Sequence, residues 1–315
     1  MRVNTAVLNR DVREARKKPA ALRHIATLTL ALGLMSTVNP STACKDIRLQ
    51  VLGSGGPELD DGRSSSAYLL WQGDSARLLM DTGSGSSTVF GATDARFTDL
   101  DAILLTHLHT DHAADLPAFI KGSFFSARVA DLIVAGPMGN DRMPDTDSFI
   151  MRLIGPEGAF AYLSSYLEPD TESYTLQAVT MPATDPGQLD GNGWQARSLP
   201  VQHGPIPAVA WRVDIGECRV VYAGDVSAVP DDFAVFAQGA DLLILHAAIP
   251  ENAGPAARQL HMTPGGLVSL ANQVAPRHVL LSHFMTRSAH TVPERFRSLQ
   301  ASFSVARDGL RLEPG

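Results

Sequence analysis

An apolar run that ends in a knot of histidines constrains this chain more than any other feature. Within "DAILLTHLHTDHAADL", residues 101–116, three of the chain's ten histidines and one aspartate occupy six positions. The run "DAILLT" reads as a buried strand, because apolar residues follow one another without a helical period. His107, His109, Asp111 and His112 therefore sit just past a strand end, on a loop that a rigid scaffold can hold in place. Alternation along an extended segment puts 107, 109 and 111 on one side. Neutral imidazole and carboxylate suit a borderline cation such as zinc, which takes about four such ligands. One short stretch cannot enclose two ions, so the chain must supply partners from elsewhere.

Three candidates each lie just beyond a strand-like run: His203 in "LPVQHGPIPAVAWRV", Asp225 in "VVYAGDVS" and His283 in "HVLLSHFM". With the first cluster they make seven protein ligands, a number that suits two ions sharing a carboxylate and a water. Taken singly, each has a plainer reading. His203 suits a satisfied loop histidine, Asp225 a turn cap after glycine, and His283 a core histidine. Asp81 in "LLMDTGSG" suits a turn residue or half of an aspartic-protease pair, but no second such motif follows.

The chain's 315 residues can hold one large domain or two ordinary ones. "DIRLQVLG" is a strand, "AYLLW" and "RLLMD" a hairpin across "QGDSA", "AADLPAFIKGSFF" a helix, and "DLIVAGP" a strand. "YTLQAVTM", "WQARSLPV", "AVAWRVDI", "CRVVYAGD", "DLLILHA" and "HVLLSHF" are strand-like, with helices expected at 230–238, 263–274 and 293–300. Residues 138–170 read as a helical insert near the site, carrying Phe149, Phe160, Tyr162 and Tyr166. We expect a helical pair packed on the core in preference to an aromatic lid, since aromatic stripes at helical spacing usually face a core. Two halves of strands with flanking helices predict an α/β fold of four αββα layers, two mixed β-sheets face to face with helices outside.

Residues 1–43 differ from the rest. Seven Lys/Arg residues, among them Arg10, Arg13, Arg16, Lys17, Lys18 and Arg23, precede or flank the uncharged "IATLTLALGLMSTV", and small residues lead to Ala43. Basic, apolar and small in that order describe a secretory signal peptide, with cleavage near Ala43 and a secreted or periplasmic product. A buried N-terminal helix is the alternative. The apolar stretch is too short for a comfortable membrane span, so no span is expected in the mature chain, residues 44–315. Ser41 stands where a lipoprotein site usually has an aliphatic residue, which argues against lipidation at Cys44. The whole chain carries 26 basic and 33 acidic side chains, of which seven and two fall in residues 1–43, so the mature chain would carry −12. Such a surface repels phosphate backbones, and general nucleic-acid binding is not expected. Cys44 and Cys218 cannot make a disulfide framework. One bridge between them is left open, and Cys218 inside "ECRVVYAGD" reads as a buried thiol.

"THLHTDHAADL" resembles the His-x-His-x-Asp-His signature of the metallo-β-lactamase fold superfamily, and the other candidates follow in that family's order over nearly all of 45–315. The resemblance implies that His107, His109 and His203 hold a first ion. Asp111, His112 and His283 would hold a second, with Asp225 bridging them and Asp81 supporting the ligands from behind. The implied cofactors are two divalent ions on one water, lowering its pKa and stabilising charge on the attacked group. Zinc is the default for a His/Asp set, with iron and manganese as alternatives.

"VLGSGGP", "RSSSAYLL", "HGPIPAVAWRV" and "LHMTPGGLVSLANQVAPRHVLLSHF" resemble the ribonuclease Z and arylsulfatase-like branch. On that resemblance His261 becomes a proton donor to the leaving oxygen, counted with Asp111 among the catalytic residues; a histidine near a helix N-cap is the equal alternative. Two departures stand out. "LLILHAAIP" places His246 and Ala247 where ribonuclease Z typically carries the glutamate that orients that donor, so His246 takes the role or is structural. Only 21 residues separate His203 from Asp225, too few for the tRNA-gripping arm of many ribonuclease Z enzymes. Asp225 also stands where zinc β-lactamases usually offer cysteine. The expectation is a dinuclear metallohydrolase acting on a small phosphodiester or aryl sulfate ester. A lactonase is the runner-up, tRNA 3′ processing is disfavoured, and a non-catalytic zinc-binding scaffold is the alternative of another class. A homodimer is left open. His278 and His290 have no motif role.

Overall fold

The computed structural model describes residues 44–289 and 292–314. The expected signal peptide with His24, and His290, lie outside the described residues. The first half of the described chain runs β1 (Ile47–Gly53), β2 (Ala67–Gln72), β3 (Ser75–Met80), α1 (Ser86–Gly91), β4 (Ala102–Leu104), α2 (Thr110–Ala113), α3 (Leu116–Ser123), β5 (Leu132–Gly136), α4 (Thr146–Ile154) and β6 (Leu176–Thr180). The second runs β7 (Gly187–Gly191), β8 (Trp194–His203), β9 (Ile206–Ile215), β10 (Cys218–Tyr222), α5 (Phe233–Phe236), β11 (Leu242–His246), α6 (Pro255–Leu260), α7 (Pro264–Val274), β12 (His278–Ser282), α8 (Val292–Arg295), β13 (Ser302–Val305) and β14 (Arg311–Leu312).

These strands make two mixed seven-stranded sheets, ordered β14-β1-β2-β3-β4-β5-β6 and β13-β12-β11-β10-β9-β8-β7. From β3 to β6 and from β10 to β13 the neighbours are parallel; the remaining pairs are antiparallel. Strands covered on both faces read as continuous apolar runs, and side-chain alternation then sorts their residues into layers. Tyr68 and Leu70 of β2 enter the cluster between the sheets, with Val220 and Tyr222 of β10. Leu69 and Trp71 face outward with Leu116, Ile120, Ile150 and Ile154 of α3 and α4. Val221 faces the opposite way, with Phe233 of α5 and Leu267 and Leu270 of α7. Each such side chain fully buried stabilises by about 1.5–3 kcal/mol. Three apolar layers between four structural layers give the αββα sandwich read from the sequence.

Several local expectations need correction. The strand expected over "DAILLTH" is only three residues long, because the Thr106 N–H leaves the ladder for the Asp81 carboxylate at 2.7 Å. Asp111 does not continue an extended alternation with 107 and 109: the chain turns into α2 after His109, so Asp111 and His112 project from a helical turn. The helix expected after it is split at Asp115, with Pro117 in the first turn of α3, a position where its missing N–H costs nothing. Cys218 is not a free thiol; it is bridged to Cys44, with both residues buried. In 138–170, Ile150, Ile154, Leu163 and Tyr166 pack on the outer core of the first sheet. Tyr162 is exposed. Strands β7, β13 and β14 carried no readable pattern, being short, polar or at a sheet edge.

Candidate metal centre

The site lies past the C-terminal ends of the parallel strands, where open α/β sheets generally place ligands. Asp81 follows β3, the 106–112 turn follows β4, Asp225 follows β10, and His283 follows β12. His246 closes β11, while His203 closes β8 at its hairpin. Gly224, at φ 65, approaches Thr106 so closely that an added Cβ would meet the Thr106 side chain at 3.0 Å; only glycine lets β10 deliver Asp225 there. Asp81 and His283 hold left-handed backbone themselves, both at φ 57. Such conformations cost on the order of 1–3 kcal/mol at non-glycine residues and persist where surrounding structure fixes them.

The structure brings together every residue read from the sequence as a ligand. His109 Nδ1 lies 3.0 Å from His107 Nε2 and 3.3 Å from His203 Nε2. Asp111 Oδ2 lies 3.7 Å from both His112 Nε2 and His283 Nε2. The Asp225 carboxylate stands between these groups. Its Oδ2 is 3.9 Å from His107 Nε2, 3.8 Å from His203 Nε2 and 3.6 Å from His112 Nε2, and its Oδ1 is 3.6 Å from His283 Nε2. Two ligands of one tetrahedral zinc are about 3.4 Å apart, given metal–nitrogen distances near 2.1 Å, and these spacings bracket that edge.

Hydrogen bonds from behind aim the rings. Asp81 Oδ2 accepts from His112 Nδ1 at 2.7 Å, from Tyr222 OH at 2.6 Å and from Thr106 Oγ1 at 2.8 Å. His203 Nδ1 donates to Leu260 O at 2.7 Å, and His283 Nδ1 pairs with Ser66 Oγ at 2.8 Å. A ring that spends Nδ1–H on such a partner offers its Nε2 lone pair to the centre. The Nε2 atoms of His112 and His283 are buried with no hydrogen-bond partner. An added Cβ at Gly56 would sit 3.1 Å from His283 Nε2, so glycine keeps that space open.

Charge points the same way. Asp81, Asp111 and Asp225 are all buried, and their ion-pair partners among the described residues are imidazoles. Burial pushes the His107 and His283 imidazoles well below the usual histidine range, with neighbouring imidazoles adding to it. Burial also lowers His109, His203 and His261. His112 is the exception: against the pull of burial, the carboxylates of Asp81, Asp111 and Asp225 hold it well above that range. Burial raises Asp225, but His283, His112 and His261 outweigh it and hold the carboxyl well below its usual range. Three buried carboxylates lined by imidazoles that burial, His112 apart, holds neutral call for positive charge, and divalent cations fit this donor set.

His246 does not join His261, as the missing glutamate would. Its Nδ1 donates to Asp225 Oδ1 at 2.6 Å, its Nε2 meets Tyr68 OH at 3.1 Å, and Tyr68 donates to Ser282 at 2.6 Å. His246 also stacks on His283, ring centroids 4.5 Å apart. His261 lies between α6 and α7 and caps neither start, since Thr263 caps α7. Its buried, unpartnered Nδ1 lies 3.8 Å from Asp225 Oδ2. His278 binds Ser302 and Ser304 at a sheet position outside the cage. Sequence reasoning missed Tyr68, Tyr222, Ser66 and Thr106; the two tyrosines were visible only as polar-tipped rings in otherwise apolar strands.

A His/Asp cage at the strand ends of an αββα sandwich defines a metal-dependent hydrolase of the metallo-β-lactamase fold. Residues 76–284 match the family described as the Beta-lactamase superfamily domain. The chain belongs to that superfamily. Ribonuclease Z of Mycobacterium bovis (strain BCG / Pasteur 1173P2) is 26% identical over 273 residues, covering 81% of this chain and 92% of that protein. Ribonuclease Z of Natronomonas pharaonis is 28% identical over 279 residues, covering 77% and 88%. Among solved structures, the metallo-β-lactamase fold protein YhfI from Bacillus subtilis superposes with TM-score 0.66 at 23% identity, covering 84% of this chain and 98% of that one. The short form of human tRNase Z gives TM-score 0.65 at 22% identity, covering 85% and 99%.

Proposed function

We propose that this chain is a dinuclear metal-dependent hydrolase of small phosphodiesters or aryl sulfate esters, exported after removal of residues 1–43. The placement of the Asp225 carboxylate between two groups of imidazoles carries the reading. His107, His109 and His203 are assigned to one ion, Asp111, His112 and His283 to the other, and zinc to both positions, because the donors are imidazole and carboxylate. Ions bound there supply Lewis acidity and an activated water. Asp81 orients His112, and His246 orients Asp225 by donating to the oxygen turned away from the first group. Asp111 is also assigned to proton transfer, its carboxylate taking a proton from the attacking water. His261 is assigned as proton donor to the leaving oxygen, on its buried, unpartnered nitrogen.

The relatives' name suggests RNA as substrate. Two features favour a small substrate instead. The 21 residues from His203 to Asp225 are consumed by β9, β10 and tight turns, so the stretch holds no arm, and the mature chain would carry −12. The Cys44–Cys218 bridge supports export, because disulfides persist in oxidising compartments.

The test is a panel of bis-p-nitrophenyl phosphate, p-nitrophenyl sulfate, a homoserine lactone, nitrocefin and a precursor tRNA, each with and without chelator. The proposal expects chelator-sensitive turnover of the first or second. Turnover of the tRNA alone would replace the substrate assignment, and silence on all five would favour a binding scaffold. N-terminal sequencing of the native protein checks export; an intact Met1 would defeat it.

A further inference from the structure

Strand β11 is apolar up to its last residue, where the run ends in His246. Leu242 and Ile244 of that strand face the layer between the sheets, so alternation puts His246 on the same inner side. Tyr68 reaches that layer from the opposite sheet. In the parallel β11–β12 pair, His246 stands opposite Ser282. A polar group thus meets polar groups from two other strands at the one end of the layer where the cage begins.

The buried His246 ring is engaged on three sides. Nδ1 donates to Asp225 Oδ1 at 2.6 Å, and Nε2 meets Tyr68 OH at 3.1 Å. Tyr68 is itself anchored by its bond to Ser282 Oγ at 2.6 Å. One face of the ring lies on His283, the planes 12° apart and the centroids at 4.5 Å. A side chain locked by packing and by bonds at both ends can hold its neighbour to a defined geometry.

That neighbour is Asp225, whose two oxygens have different surroundings. Oδ2 lies 3.8 Å from His203 Nε2 and 3.6 Å from His112 Nε2, one ring from each ion group. Oδ1 lies 3.6 Å from His283 Nε2 and takes the His246 N–H, the shortest contact that either oxygen makes among the described residues. An aspartate carboxylate turns easily, because its terminal torsion is broad. Something must therefore fix which oxygen faces both groups.

We propose that His246, braced from the opposite sheet by Tyr68, is a positioning residue that turns Asp225 so that Oδ2 alone is shared between the two ion positions. The role deepens the dinuclear reading above and rests on it. Tyr68 then acts on the cage through two intervening residues, from a strand that carries no ligand.

The test is zinc affinity of the full chain, measured by chelator competition, with no turnover involved. His246→Asn and His246→Gln are compared. The Asn amide nitrogen takes the place of Nδ1 and keeps a donor for Asp225; the Gln nitrogen takes the place of Nε2 and keeps only the Tyr68 contact. Both variants lose the stacked ring, so a purely structural role lowers both melting temperatures and gives the two the same affinity. The proposal expects Asn to hold zinc within about threefold of wild type and Gln to lose about 10–100-fold, the scale set by a missing partner behind a ligand. Equal affinities, or tighter binding by Gln, would overturn it. Tyr68→Phe removes one oxygen and keeps the ring in the core, so it decides the matter if neither His246 variant folds. About tenfold weaker binding is expected there, and unchanged affinity would overturn the brace. Zinc stoichiometry of the wild type is read first. A single ion per chain defeats the dinuclear reading and this role with it, whereas two ions with no difference between Asn and Gln defeat this role alone.

Discussion

Reduction of the Cys44–Cys218 bridge should cost this protein a large part of its stability. The bridge spans a sequence separation of 174 residues and ties the segment before β1 to the start of β10, one from each sheet. Closing a loop of that length removes about 17 cal/mol/K of chain entropy from the unfolded state, or about 5 kcal/mol at 25 °C. That figure is a ceiling, since residual structure in the denatured chain reduces it; about 2–5 kcal/mol is expected, against a whole-domain stability on the order of 5–15 kcal/mol. Trp71, Trp194 and Trp211 are buried, so tryptophan fluorescence follows unfolding in guanidinium chloride. Comparing oxidised with fully reduced wild-type protein keeps both sulfurs in the core and isolates the cross-link. The reduced protein should unfold at a midpoint lower by on the order of 0.5–1 M. Coincident curves would refute the loop-entropy argument, and two free thiols in the denatured, unreduced chain would refute the bridge itself.

Asp225→Asn should lower turnover by at least about a thousandfold, because it weakens a ligand between both cation positions; metal analysis should show loss of bound ion, and full occupancy with wild-type rates would sink the ligand assignment. Asp81→Asn removes the charge that aims His112 Nδ1, and chelator competition should report about 10–100-fold weaker metal binding; unchanged affinity would assign Asp81 to packing alone. The chelated protein should lose stability as pH falls from about 7 to 5. Burial holds His107, His203 and His283 below the usual range, so near pH 6.5 the unfolded chain binds protons that the folded chain refuses. His112, held up by its carboxylates, contributes in the opposite sense, with stability present below about pH 6.5 and lost as pH rises through its folded value, but it is outnumbered. A melting temperature highest at pH 5 would contradict this balance.

The sequence revealed the residues of the cage more readily than the scaffold around them. His107, His109 and His112 are crowded into one turn, and His203, Asp225 and His283 each follow a strong apolar strand, so residue type and position both mark them. The supporting residues carry no such mark. Ser66 and Thr106 are ordinary loop residues until the fold brings them to a ring nitrogen. His246 was legible as a departure, yet its pairing with Asp225 in place of His261 depends on register between β10 and β11, which periodicity does not encode. The strand at 101–107 was read too long because the pull of Asp81 on the Thr106 backbone is a contact between residues 25 apart. The bridge at Cys218 was hidden for a similar reason: a cysteine in an apolar strand looks the same whether its partner is a solvent-free cavity or a second sulfur.

The position of that cystine within the sandwich has a mechanical consequence. Cys218 begins β10 and Asp225 lies beyond its other end, so the covalent tie and the cage stand at opposite ends of the strand, about 13 Å apart along β10 itself. At the cage end the two sheets are joined by lighter bonds, from Tyr222 to Asp81, from Tyr68 to Ser282 and from Trp211 to Leu105 O. The arrangement is a pair of jaws riveted at the handle. Any parting of the sheets at the cage end would therefore have to break those hydrogen bonds, while the handle end stays covalently joined.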